Sequence, residues 1–274
     1  MTTSNHTPTT LAAAREDCPM RTTSNDHTVS IPDAPKSLPW LTTEQMIEVD
    51  RIMMHDLGIG LAQMMESAGR DLAQLTRVRI LDGDPRGRRV VVLAGPGGNG
   101  GGALVAARRL HGWGADVTVV TSRPDDRFAS TPGAQLDRVD RLGIERHPAD
   151  RVDRLGSFDV VLDGVIGYSL NGDPRGGAAT LIAAADQLAP AVVSLDVPSG
   201  LDSTTGEPGD PVVHATATLT LALPKIGLRG PLARAVVGEL YLGDIGVPAA
   251  VYAAPTLGFD VGAVFAAAEV LRIW

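Results

Sequence analysis

The stretch RRVVVLAGPGGNGGGALVAARR, from Arg88 to Arg109, constrains this chain more than any other. Its apolar run from Val90 to Ala94 has no alternation, which is the pattern of a strand buried on both faces of a parallel sheet. Gly95, Pro96, Gly97, Gly98, Asn99, Gly100, Gly101 and Gly102 follow, a backbone nearly bare of side chains, and then Leu104, Val105, Ala107 and Leu110 recur at helical spacing. Strand, glycine loop and helix in that order make a βα turn whose amides and helix N-terminus suit phosphate; a flexible connection would be glycine-rich as well. No Gly-Lys-Ser/Thr follows, so the turn is not a P-loop. Gly95, Gly97 and Gly100 fit a GxGxxG pattern, yet the next strand ends in Thr121, Ser122 and Arg123. An ordinary NAD dehydrogenase would carry a ribose-binding acid there.

Around this turn the pattern alternates between strand and helix, as in a mostly parallel, Rossmann-like α/β sheet. Strands are expected at Val117 to Thr121, Ile144 to Arg146, Phe158 to Leu162, Ala191 to Leu195, Thr216 to Leu221 and Val236 to Leu242, and helices at Gly133 to Leu142, Asp150 to Leu155 and Gly176 to Leu188. Ahead of them, Thr42 or Thr43 caps a helix with Met46, Val49, Ile52 and Met53 on one face, which Leu57-Gly58-Ile59-Gly60 breaks. A second helix from Leu61 carries Met64, Met65, Ala68, Leu72 and Leu75, with the methionines as core filler. Gly69 inside it predicts close packing against another backbone.

A chain of 274 residues with 44% hydrophobic content buries one full core, so residues 39–274 are expected as a single domain. Residues 1–38, rich in Thr, Ser, Asn, Asp and Pro, are expected as a disordered tail. The formal charge of −8, with no basic block, argues against a nucleic-acid partner, and no apolar run of ~18 residues offers a membrane span. Cys18 is the lone cysteine, which excludes an internal disulfide and a cysteine-ligated zinc site and suits a cytoplasmic location.

Asn99, Asp163 and Asp196 each stand just after an apolar strand. At the carboxyl edge of a doubly wound sheet they would share one crevice with the loops that follow them, although a strand-end aspartate also serves as an N-cap or turn former.

The ordered segments LTTEQMIEVD, MMESAGR, GPGGNGGGALVAARRL, LDGVIGYSLNGDPRG, LDVPSGLD, LTLALPKIGL and GELYLGDIGVP, from about Leu41 to Pro248, resemble the NAD(P)H-hydrate epimerases, the N-terminal domain of the bifunctional NAD(P)HX repair enzymes. The resemblance implies a three-layer α/β/α sandwich that interconverts the R and S epimers of hydrated NADH and NADPH (NADHX and NADPHX). A separate ADP- or ATP-dependent dehydratase would then restore the cofactor from the S form. It also implies a potassium ion held by Asn99, Asp163 and Ser199, and substrate contacts from Gly98, Asn99, Gly100, Gly101, Gly102, Gly167, Tyr168, Ser169, Leu170, Asn171, Gly172, Asp173 and Asp196. A homodimer is common in the family. Asp196, then Asp173, are the expected proton carriers at C6; Lys225 is either an ion-pair partner for these acids or a phosphate contact.

The chain departs from the family at three points of one loop. Members usually read Asn-Asn-Gly-Gly-Asp-Gly where this chain has Gly98-Asn99-Gly100-Gly101-Gly102-Ala103, and Ser67 replaces the asparagine of a MENAG-like helix. These departures leave open a catalytically silent nucleotide-binding or scaffold protein of the same fold.

Overall fold

In the computed structural model, residues 30–274 are described, so residues 1–29 of the expected tail lie outside the described residues. The chain opens with α1 (Thr43–Arg51), which runs on through a π-helical turn at Ile52–Asp56, and α2 (Leu61–Arg79). Thr42 caps α1 through a capping box with Gln45. Then follow β1 (Arg89–Ala94), α3 (Gly98–Gly112), β2 (Asp116–Thr121), α4 (Ser130–Arg141), β3 (Glu145–Pro148), β4 (Val160–Gly164), α5 (Gly177–Leu188), β5 (Val192–Leu195) and β6 (Ala217–Leu221). The last elements are α6 (Pro231–Val237), β7 (Glu239–Gly243), α7 (Ala249–Tyr252) and β8 (Val270–Arg272).

The strands form one eight-stranded sheet in the order β3-β2-β1-β4-β5-β6-β7-β8, parallel except for the β7–β8 pair. β1 shows why three layers result: Val90, Val92 and Ala94 point into a core shared with α1 to α4, while Val91 and Leu93 point into a second core shared with α5. The expected α/β class and strand sequence hold. Three differences bear on the fold. Val236 and Val237 close α6 instead of opening a strand, because Pro231 starts a helix there. The ladder of β4 begins at Val160, Phe158 being spent on a single backbone bond to Leu188 O of 2.8 Å. β8 was not expected; Arg272 also bonds to Pro32 and Ala34, so that part of the segment before residue 39 runs alongside it.

α2 packs tightly on α3, as Gly69 foretold: a Cβ at that position would lie 2.4 Å from Val105 Cβ and 2.5 Å from Gly102 O. The same helix buries Asp71, 1% exposed, with Arg70 Nε at 3.0 Å and Oδ2 unpartnered. Burial pushes the Asp71 carboxyl up to about 7 against the opposing Arg70, with Glu269 and Asp244 adding to the rise. A raised folded-state value means that the Asp71 contribution is complete below the unfolded carboxylate range and is lost as pH climbs to about 7. Between pH 5 and 8, wild type should therefore lose roughly 2–3 kcal/mol relative to Asp71→Asn. Parallel urea-melt slopes for the two proteins across that range would refute this.

Candidate functional site

The carboxyl edge of the sheet carries a cavity of about 500 Å³ at the point where β1 and β4 lead to opposite sides of the strand order. Gly97, Gly98 and Asn99 from the start of α3, Gly167, Tyr168 and Ser169 after β4, Asp196 after β5 and Lys225 after β6 line it. α1 and α2 close the remaining side with Met46, Asp50, Met54, Met64 and Met65. α1 is held there because Leu41 bonds to the lysine turn on both sides, Leu41 N to Pro224 O at 2.8 Å and Ile226 N to Leu41 O at 2.9 Å.

The glycine loop has its composition for steric reasons. A Cβ at Gly95 would meet Val165 O at 1.9 Å, and one at Gly100 would meet Gly95 O at 1.8 Å. The turn therefore lies against the β4 loop with room for backbone only. It leaves the start of the 15-residue α3, Gly98 and Asn99, in the cavity lining.

Asp196 and Lys225 form a buried ion pair, the side chains 4% and 1% exposed. Lys225 Nζ also donates to Leu221 O at 2.8 Å and sits 6.0 Å from the Tyr168 ring centroid. Asp196 has φ 68°, a left-handed conformation that non-glycine residues rarely hold, and its amide bonds to Leu219 O at 2.7 Å. Lys225 is thus the ion-pair partner. Opposite the pair, Tyr168 Oη donates to Asp50 Oδ2 at 2.5 Å. Burial pushes both upward: the Asp50 carboxyl above the usual range against Tyr168 and Lys225, and the Tyr168 phenol further still, helped by the charge of Asp50.

Asp163 lies beneath the cavity, fully buried. It accepts from Ser199 Oγ at 2.6 Å, Ser199 N and Ser194 Oγ at 2.8 Å each, and Val165 N at 3.2 Å. Burial pushes its carboxyl up against these donors, and among the described residues no cationic side chain pairs with it. Asn99 Nδ2 donates to Leu195 O at 3.0 Å, which leaves the amide oxygen free beside Gly167. A buried carboxylate without a counter-ion, a hydroxyl and an amide oxygen are hard oxygen donors, and Asn99, Asp163 and Ser199 could hold a singly charged cation.

The structure brings Gly98, Asn99, Gly167, Tyr168, Ser169, Asp196 and Lys225 together around the cavity. Gly100, Gly101 and Gly102 are buried in the first turns of α3. Leu170 is half-buried, and Asn171, Gly172 and Asp173 are exposed and outside the lining; Asp173 accepts from Asp210 N at 3.2 Å. The methionines are both core and cavity wall. Asp50 is the residue that sequence reasoning missed, and its signal was an acid in the row of Met46, Asp50 and Met54, spaced by four. A second hollow of about 590 Å³, at the ends of β2 and β3, commits its Arg146 to Asp125 at 2.6 Å and to Asp140 at 2.9 Å, away from these groups.

Residues 61–227 match the family described as YjeF-related protein N-terminus. A protein of Dehalogenimonas lykanthroporepellens named NAD(P)H-hydrate epimerase is 44% identical over 215 residues, 77% of this chain and 84% of that protein. A Hyperthermus butylicus protein named bifunctional NAD(P)H-hydrate repair enzyme Nnr is 39% identical over 209 residues, 73% of this chain but 37% of its own length. The crystal structure of yeast ynu0 superposes with a TM-score of 0.71 at 24% identity, over 86% of this chain and 100% of that one, which shows the fold. The match runs from α2 through the lysine turn and so contains the glycine loop and the Asp196–Lys225 pair: the chain belongs to the YjeF-related N-terminal family, together with proteins named NAD(P)H-hydrate epimerase.

Proposed function

We propose that this protein interconverts the R and S epimers of hydrated NADH and NADPH. The observation that carries the reading is the buried Asp196–Lys225 pair at a cavity entered past the start of α3, in a chain 44% identical to a protein named for that reaction. The diphosphate binds at the start of α3, beside Gly98 and Asn99, and the hydrated ring enters between the methionine wall and Tyr168. At C6 one carbon bears both ring nitrogen and hydroxyl, so loss of the hydroxyl leaves a cation spread over N1 and C6. Asp196, held in place by Lys225, stabilises that charge without reorganising.

Asn99, Asp163 and Ser199 hold potassium in this reading. The ion supplies the positive charge that Asp163 lacks and so keeps the β4 and β5 loops in register. The bifunctional relative is more than twice as long as the segment it shares with this chain. This reading calls for a dehydratase acting on the S epimer, and we place the reaction in the cytoplasm. Among the described residues no helix is long and apolar enough to cross a membrane.

The silent-scaffold alternative rests on Gly98, Gly102 and Ala103, the three departures in the glycine loop. A Cβ at Gly102 would come within 2.7 Å of Leu195 Cδ2, a residue of the cavity lining. Incubation with R-NADHX and an S-specific dehydratase separates the readings, because only an epimerase feeds the second enzyme.

A further inference from the structure

Two carboxylates line the cavity, Asp50 and Asp196, and their surroundings differ. Asp196 is locked to a lysine ammonium. Asp50 has a neutral partner, the Tyr168 hydroxyl, and no ion pair among the described residues. The groups that face Asp50 are Tyr168 from the β4 loop, Lys225 and Asp196 across the cavity, and Tyr252 from α7, whose phenol burial pushes up with help from the charges of Asp244 and Asp50. When environment separates two carboxylates in this way, the paired one serves as a fixed charge and the unpaired one exchanges protons.

We propose that Asp50 is the catalytic acid and base at C6, with Asp196 as the stationary anion and Tyr168 as the positioning residue for Asp50. The proposal rests on the epimerase reading and assigns it a residue outside the strand-end loops. Asp50, protonated, gives its proton to the C6 hydroxyl. The C–O bond breaks with its electron pair on oxygen, and water departs as the N1 lone pair forms the N1=C6 double bond. The planar cation turns about its bond to ribose and presents its other face to the same wall. Water then adds to C6, the π pair returns to N1, and the surplus proton of the water returns to Asp50. No oxidant or reductant enters, and the enzyme ends as it began.

The chain supports this assignment in a second way. Asp50 is the only acid besides Asp196 among the lining residues.

The test compares wild type, Asp50→Asn and Tyr168→Phe across pH 5 to 9, reading both R-NADHX conversion and the dissociation constant of the hydrated nucleotide. Asn keeps the shape of Asp50 and still accepts from Tyr168, so the fold should survive, and the retained dissociation constant checks that it does. Asp50→Asn should slow conversion about 10²- to 10⁴-fold with binding unchanged. Wild-type rate should fall as pH rises through the raised Asp50 range, and the residual rate of Asp50→Asn should lack that limb. Tyr168→Phe removes a donor that favours the Asp50 carboxylate, and should move the limb to higher pH. Wild-type rate with an unaltered limb in Asp50→Asn overturns the proposal, as does a rate loss matched by lost binding. A wild type that binds the nucleotide but never exceeds spontaneous epimerisation overturns the epimerase reading itself, and this assignment with it.

Discussion

Asp196→Asn should lower R-to-S conversion by about 10²- to 10³-fold while the nucleotide still binds, because the substitution removes a preorganised charge and keeps the side chain's shape. Asparagine is the informative replacement, since it tolerates the left-handed conformation that Asp196 holds at φ 68°. The change also strands Lys225, whose side chain is 1% exposed, so unfolding free energy should drop by about 3–5 kcal/mol. The double variant Asp196→Asn/Lys225→Met separates the two effects: much of the stability should return, and the rate should not. If rate returned with stability, Asp196 would be a packing residue, and the charge argument would fail.

Asp163→Asn should sharply reduce stabilisation by potassium. With the wild type, the melting temperature should climb with potassium relative to a matched tetramethylammonium control, by mass action on the folded state. In the variant the shift should be much smaller, since the amide cannot balance the ion's charge. Asp163→Ala is harsher: it leaves Ser194 Oγ, Ser199 Oγ and two backbone amides without their acceptor and should cost on the order of 3–5 kcal/mol. Equal potassium shifts in wild type and Asp163→Asn would place the ion elsewhere.

What was legible in the sequence was what local pattern encodes. The run from Val90 to Ala94 read as a central strand, and Gly69 predicted close packing against another backbone, which the hypothetical Cβ clash with Gly102 O bears out. β8 escaped because Val270–Arg272 is three residues long and gains its order from pairing with β7, across roughly 30 residues of chain. The α6 boundary escaped because Val236 and Val237 abut β7, and an apolar run across a helix–strand junction has no period to mark the break.

The site divides in the same way. Asp196 and Asp163 could be singled out because each ends an apolar strand, and parallel topology sends every such end to one edge. Asp50 lies 118 positions from Tyr168 and meets it only because Leu41 ties α1 to the lysine turn. Asp173 stands second to Asp196 on sequence alone; its loop is exposed and bends to Asp210. Whether a polar residue after a strand faces the cavity or the solvent is decided by what packs over it, here α1 and α2.

The most direct measurement of the central claim follows NADH recovery from pure R-NADHX in the presence of excess S-specific dehydratase and its nucleotide. Addition of this protein should raise the recovery rate in proportion to its concentration, well above the spontaneous rate, and Asp196→Asn at the same concentration should leave it near background. A recovery rate independent of the amount of wild-type protein, with the dehydratase shown to be active on the S epimer, would contradict the account.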